Sequence, residues 1–398
     1  MISRADIDDA ARRLADVLRP TPVASSDNLS KLAGREVLLK PEHLQRTGSY
    51  KIRGAYNLIS RLEPGVDVVA ASAGNHAQGV ALAAALTGRR STIFMPSNAP
   101  LPKVEATRAY GANIEFVTGM VDDCLVAAQD FAEHKGAVYV PPFDHPQIIA
   151  GQGTVGLEIA AEAPEAEVVV VPIGGGGLIS GVAAALAFSR RGVKVIGVQA
   201  AGSASMRDSV AAKHVVTLDS ASTMADGIAV LAPSELTLAH VQAYVDEIVT
   251  VDEESISRAL LLLIERAKAV VEPAGAVGLA ALLAGAIPGN GPAVVVLSGG
   301  NIDPLLLTRV IEHGLSAAGR YLVVRVVLGD KPGELAALTG AVAELGLNVL
   351  SVEHHRSGAS VGINQVEVLL TLETRDPAHR TEIVDALNAA GFRSALVR

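Results

Sequence analysis

One cysteine and no tryptophan set the first limits on this 398-residue chain. With Cys124 alone, no intramolecular disulfide can form and no cysteine-rich zinc site can be assembled. Aromatic residues make up only 3% of the sequence, which leaves little surface on which nucleic-acid bases could stack. Basic clusters are missing as well. The formal charge is −9 and no Lys/Arg run matches a phosphate backbone, so nucleic acid is not an expected partner. The opening residues, Met1 to Asp6, lack the apolar core of a secretory signal, and a cytoplasmic location is therefore expected. One uncharged run, residues 168–189, reaches membrane length. Pro172 and four consecutive glycines interrupt it, so a strand, a turn and a helix are expected there and no membrane span.

What is present is aliphatic. Hydrophobic residues are 49% and charged residues 19%, enough for a large core divided among about two or three folding units. An opening helix includes residues 11–18. Short β-branched runs follow at 37–39, 68–71, 92–95, 114–117, 138–140, 168–171, 195–198 and 294–297, separated by Ala-rich stretches of helical spacing. Most are apolar throughout, which predicts an α/β fold with a parallel sheet covered on both faces. Gly88 and Gly111 stand where helices stop. After Ile311 the pattern changes. Residues 313–320 are mostly small and read as a linker, and beyond them come strand 322–328, helix 332–345, strands 348–354 and 364–372, helix 380–390 and strand 393–397. That βαββαβ order is ferredoxin-like. The expected division is 1–312, a linker at 313–320, and 321–398.

Four segments carry chemistry. In Ser49-Tyr50-Lys51-Ile52-Arg53-Gly54, after the turn signal Thr47-Gly48, one lysine sits among small and apolar neighbours, where it can lose its proton and attack a carbonyl. A surface lysine opening a helix would give the same hexamer. Gly174-Gly175-Gly176-Gly177 lies between an expected strand and an expected helix, so its N–H groups form an anion cradle. The glycines do not fit the dinucleotide pattern G-x-G-x-x-G, because Ile179 or Ser180 falls at its last position and Gln199 stands where an acid would hold a ribose. A phosphate smaller than a dinucleotide is the expectation. Ser298, at a strand end in Ser298-Gly299-Gly300-Asn301, can meet a pyridine nitrogen with a hydroxyl where an acid would protonate it, which favours elimination over transamination. In Ser72-Ala73-Gly74-Asn75-His76, backbone N–H groups can hold a carboxylate and Asn75 can hydrogen-bond a phenolic oxygen; the His76 side chain reads as structural. His354 and His355 face opposite ways on a strand and cannot share a metal. Together the four segments supply the contacts that pyridoxal phosphate needs.

Their order, with Lys40-Pro41-Glu42, Thr223-Met224-Ala225-Asp226-Gly227-Ile228-Ala229 and Glu272-Pro273-Ala274-Gly275-Ala276, resembles the threonine ammonia-lyases of the fold-type II (tryptophan synthase beta-like) pyridoxal phosphate enzymes. Gly329-Asp330-Lys331-Pro332-Gly333-Glu334-Leu335 and Gly346-Leu347-Asn348-Val349 resemble an ACT regulatory domain, with Pro332 in the first helical turn. The resemblance implies that Lys51 forms the Schiff base and acts as general base. It implies that Asn75 binds the ring oxygen, that Gly174, Gly175, Gly176, Gly177 and Leu178 bind the phosphate, and that Ser298 meets the ring nitrogen. The stretch Ser72, Ala73, Gly74, Asn75 and His76 is then the substrate-binding segment. The implied reaction takes L-threonine, and L-serine more slowly, to the 2-oxo acid and ammonia. A branched-chain amino acid is the implied effector and a homo-oligomer the implied assembly. Related serine racemases carry a serine where this chain has Ala73, and bind a divalent cation where it has Gln199, Ser203 and Ser205, so no divalent metal is expected, while a monovalent ion stays open. Serine racemase or another enzyme of the same fold, and a catalytically silent amino-acid sensor, are the rival readings.

Overall fold

Aliphatic strands with no polar face must be covered on both sides, and this requirement organises the first of two compact units, Met1–Leu306. The structure is a computed structural model that describes residues 1–189, 192–317, 319–356 and 362–397. Strands Val37–Lys40, Val68–Ala71, Val168–Pro172 and Ala293–Val296 are buried at every position. The strands expected in a single sheet separate into two. One sheet runs Ala24–Ser25, Val37–Lys40, Ala293–Val296, Val168–Pro172, Lys194–Ala200 and Glu247–Val251, parallel except for its first pair. The other runs Asn113–Val117, Ser91–Pro96, Val68–Ala71 and Val138–Tyr139, all parallel. Residues 168–189 resolve into strand Val168–Pro172, a glycine turn and helix Gly177–Ser189. Among the described residues no helix is long and apolar enough to cross a membrane.

The opening helix is Arg4–Leu14, earlier than 11–18. Its Ser3–Asp6 capping box fixes the start, and Ile7, Ala10 and Leu14 supply the buried stripe. Helix Pro146–Glu162 packs tightly on the segment that carries Lys51. A Cβ on Gly151 would lie 2.6 Å from the Arg53 carbonyl oxygen, so only glycine permits that approach.

Beneath this packing lies an ionic network. The guanidinium of Arg53, fully buried, donates Nε to Glu42 Oε2 at 2.8 Å and Nη2 to Glu42 Oε1 at 2.7 Å. It also grips Glu158, through Nη1 at 2.6 Å and Nη2 at 2.8 Å. Lys40, also fully buried, meets Glu158 at 2.7 Å and the Thr21 carbonyl at 2.7 Å. Burial alone would lower the pKa of Arg53, but the carboxylates of Glu42 and Glu158 raise it above its ordinary value. Burial pushes the Glu158 carboxyl up, and Arg53 and Lys40 more than offset this and hold it down.

The second unit, Leu307–Arg398, is built on the opposite rule. Strands Tyr321–Gly329 and Gln365–Glu373 alternate between buried and half-buried residues, as sheets with one covered face do. The antiparallel order is Val349–His355, Gln365–Glu373, Tyr321–Gly329, Arg393–Leu396, with helices Glu334–Glu344 and Pro377–Ala389 completing the ferredoxin-like βαββαβ arrangement. Pro332 is not in the helix. The helix starts at Glu334 because Gly333, at φ +95°, turns the chain immediately before it. The stretch expected as a linker is helical as far as Ala317, within Pro304–Ala317: Gly314 is accommodated inside the helix, and the left-handed Gly319, φ +72°, comes only after it; Ala318 lies outside the described residues.

Removing one partner of a buried ion pair strands the other. Arg53→Met should therefore destabilise the first unit by about 3–5 kcal/mol, because Glu42 is itself fully buried and would be left without its cation. Equilibrium urea unfolding checks this, and a midpoint equal to wild type would show that the network is dispensable.

Candidate active site

Three neighbouring parallel strands end at one edge of the larger sheet, and each hands a different segment to it. Val37–Lys40 leads to Lys51, Ala293–Val296 to Ser298, and Val168–Pro172 to Gly174. Open α/β sheets place ligands outside such strand ends. Hydrogen bonds then fasten the first two segments together. Tyr50 N donates to Ser298 O at 3.2 Å, Gly300 N to Gly48 O at 2.9 Å, and Ser49 bridges Gly299. From the smaller sheet, Val68–Ala71 delivers Ser72–His76.

Lys51 opens helix Lys51–Ile59. Its Nζ donates to the Pro142 carbonyl oxygen at 2.9 Å and stands 5.4 Å from the centre of the Tyr50 ring. Burial lowers its pKa to about 8, against the pull of the Glu272 carboxyl in the other direction. Burial and the same Glu272 carboxyl raise the Tyr50 phenol. Near neutrality, then, a useful fraction of the amine is the free base that nucleophilic chemistry requires.

Asn75 Nδ2 donates to Glu272 Oε1 at 2.6 Å, and Asn75 Oδ1 accepts from Asn301 Nδ2 at 2.7 Å. Its second N–H is the one that can turn to a phenolic oxygen. In the same segment Gly74 N donates to Ser72 Oγ at 3.1 Å, and a Cβ on Gly74 would meet nothing within 4 Å. There is room in front of this loop. The His76 ring is buried and its Nε2 donates to the Val140 carbonyl at 2.8 Å; burial first, then Lys51, lowers its pKa to about 3, so it stays neutral. Its side chain serves the fold.

At the third strand end the four glycines are constrained, not merely permissive. A Cβ on Gly175 would lie 2.3 Å from the Phe143 ring, and Gly176 has φ +94°. Helix Gly177–Ser189 follows, with its first internal bond donated by Ser180 to Gly176 O at 2.9 Å. The N–H groups of Gly177, Leu178 and Ile179 are those a helix leaves without an internal acceptor. Ser298 is buried at 4% exposure, and Ser49 Oγ is buried with no hydrogen-bond partner among the described residues. An amine on a covered lysine, a side-chain-free cradle at a helix start, a buried hydroxyl and an oriented amide fit pyridoxal phosphate.

Glu272 stands in a motif of the resemblance, but the sequence assigns it no role. It precedes helix Pro273–Leu283 at the N-cap position, and burial, then Asp226, raises its carboxyl to about 7. Lys103, from helix Leu101–Ala109, pairs with Asp226 at 2.5 Å and joins the smaller sheet's layer to the Asp226–Ile228 turn beside Glu272. Glu272 and Asn75 are 197 positions apart, so only the order of the motifs hinted at their meeting.

The family described as pyridoxal-phosphate dependent enzyme matches residues 14–299, and the ACT domain matches residues 322–392. The chain is 48% identical, over the full length of both, to the L-threonine ammonia-lyase of Thermotoga maritima. The solved threonine deaminase isoform 2 of Solanum lycopersicum, in its processed form, superposes with a TM-score of 0.73 at 36% identity, covering 78% of this chain and 88% of that one. Maize serine racemase superposes with a TM-score of 0.74 at 36% identity, covering 79% and 98%. The chain therefore belongs to the pyridoxal-phosphate-dependent enzymes, among the threonine ammonia-lyases with a C-terminal ACT domain. The fold-type II α/β expectation holds, and the cofactor is pyridoxal phosphate.

An amine with pKa about 8 has a distinctive pH signature. Only the free base attacks an aldehyde, so cofactor uptake by the apoenzyme should rise about tenfold per pH unit below that value and level off above it. Stopped-flow absorbance measures the rate. Continued increase to pH 10 would indicate an ordinary, solvated lysine.

Proposed function

We propose that this enzyme converts L-threonine to 2-oxobutanoate and ammonia, and L-serine to pyruvate and ammonia. The observation that carries the reading is Lys51 as the candidate base, next to Tyr50, whose N–H donates to the Ser298 carbonyl, together with Ala73 where a racemase would present a second hydroxyl. Bound pyridoxal phosphate supplies the electron sink that makes the α-proton acidic. Lys51 Nζ would hold the cofactor and, as the free amine, would take the substrate's α-proton. The N–H groups from Gly174 to Leu178 would hold the phosphate, Ser298 Oγ would meet the ring nitrogen, and Asn75 Nδ2 would meet the ring oxygen. Backbone N–H groups of the Ser72–His76 segment orient the substrate carboxylate. The full-length match to a threonine ammonia-lyase supports this reading over serine racemase.

The ACT unit contributes none of these residues, which supports a regulatory role. In this reading a branched-chain amino acid binds it within a homo-oligomer and changes the substrate affinity of the catalytic unit. The strand-to-helix turn at Asp330–Gly333, where Arg356 reaches Asp330 at 3.3 Å, is the candidate effector loop.

Lys51→Ala should lower 2-oxobutanoate release to background while leaving the far-ultraviolet circular dichroism unchanged. Near-normal turnover by that variant would sink the assignment. Truncation after Gly319 should keep threonine turnover and abolish any response to isoleucine or valine. In the full chain that response should be about 5- to 150-fold in affinity, a coupling of about 1–3 kcal/mol. Calorimetry that finds no amino acid bound outside the active site would leave the unit a role in assembly only.

A further inference from the structure

Two consecutive residues before Lys51 adopt left-handed backbone: Thr47 at φ +64° and Gly48 at φ +69°. For glycine this is easy, but for a β-branched threonine it is strained, and strain of this kind persists only where the surroundings enforce it. The turn aims the Thr47 carbonyl at Asn301, whose Nδ2 donates to it at 2.7 Å. The same nitrogen donates to Asn75 Oδ1 at 2.7 Å, and Asn75 Nδ2 donates to Glu272 Oε1 at 2.6 Å. Two glycines clear the space. A Cβ on Gly48 would lie 2.5 Å from Asn301 Oδ1, and one on Gly299 would lie 2.2 Å from Glu272 Oε1 and 2.9 Å from Asn75 Nδ2.

The two ends of an amide side chain are almost the same shape, so packing alone does not decide which one faces a ligand. Hydrogen-bond polarity does. A backbone carbonyl can only accept, so the Asn301 atom against Thr47 must be nitrogen. The Asn75 atom that meets this nitrogen must be oxygen, and the nitrogen of Asn75 is therefore turned to the opposite side. One peptide oxygen sets the sense of the whole chain of bonds.

We infer that Asn301 is a positioning residue for the cofactor: held by the Thr47 carbonyl, it locks the Asn75 amide with its N–H end toward the place of the cofactor's phenolic oxygen. This rests on the reading that Asn75 meets that oxygen. With the amide reversed, a carbonyl would oppose both the phenolic oxygen and the ionised form of Glu272, and attractive contacts would become repulsive. Asn301 acts through Asn75 and need not touch the cofactor.

The test is a double-mutant cycle read by cofactor binding. Full-length protein is stripped of cofactor and titrated with pyridoxal phosphate by equilibrium dialysis, and the absorbance maximum of the bound cofactor is recorded. Asn301→Asp puts a group that cannot donate against two acceptors, and should weaken binding about tenfold and move the maximum. Asn75→Ala should cause a loss of similar size. The double variant should bind no more weakly than Asn75→Ala alone, because Asn301 has nothing left to orient. A merely structural contribution from Asn301 would instead add to that of Asn75. Unchanged affinity in Asn301→Asp, or additive losses in the double variant, overturns the inference and leaves the role of Asn75 standing. Unchanged affinity and absorbance in Asn75→Ala overturns that role and the inference with it. Should Asn301→Asp fail to fold, Asn301→Ala takes its place in the same cycle, with a loss of about threefold expected and additivity again decisive.

Discussion

The position of Lys51 depends on an arginine two residues further along the same helix. Arg53 is fully buried and holds two carboxylates at once, Glu42 from the turn after strand Val37–Lys40 and Glu158 from helix Pro146–Glu162. A buried guanidinium tolerates almost no displacement, since any movement exposes charge to a medium that cannot solvate it. The first turn of the lysine helix is thereby fixed to a sheet and to a neighbouring helix. The second pair, Lys40 with Glu158, balances the remaining charge. Such a network is weak grounds for net stability compared with an apolar core, but it specifies geometry strongly.

The same dryness that makes the network exacting gives the site its chemistry. Lys51 and Glu272 share one desolvated region, and burial pushes both toward neutrality from opposite directions, the amine down to about 8 and the carboxyl up to about 7. Burial is the first cause of both shifts, and at Glu272 the nearby Asp226 adds to it. Each begins with placing an ionisable group where strand ends and a glycine-rich loop have displaced water. His76 shows the extreme of this effect, since its ring, closed in beside Val140, is held neutral well into acid.

Much of the architecture was legible because apolar runs without alternation admit few structures. The eight expected strands of the first unit all form, and the alternating pattern of the second places its six elements within a few residues. What escaped was short, polar or distant in sequence. Ala24–Ser25 has two residues, and Glu247–Val251 is a half-exposed edge strand with acids before and after it. The split into two sheets depends on pairings that no single run records. Lys51, Asn75, Ser298 and the four glycines could be proposed because each lies in a local motif at a strand end. Glu272, Arg53 and Asn301 take their meaning from partners up to 254 positions away, and sequence spacing carries no trace of such meetings.

The contrast between the two ends of this site extends to the Lys103–Asp226 pair. Unlike Arg53 and Glu42, this pair reaches the surface, with Asp226 59% exposed. Ion pairs of that kind contribute little and are screened by dissolved salt, whereas Arg53 and Glu42 are enclosed and screened far less. Helix Lys51–Ile59 is thus held through an enclosed pair, while helix Leu101–Ala109 meets the Asp226 turn through an interaction for which the surrounding electrolyte competes. Ionic strength therefore acts on one attachment and hardly on the other, and the composition of the medium becomes a mechanical variable for the helix that carries Lys103.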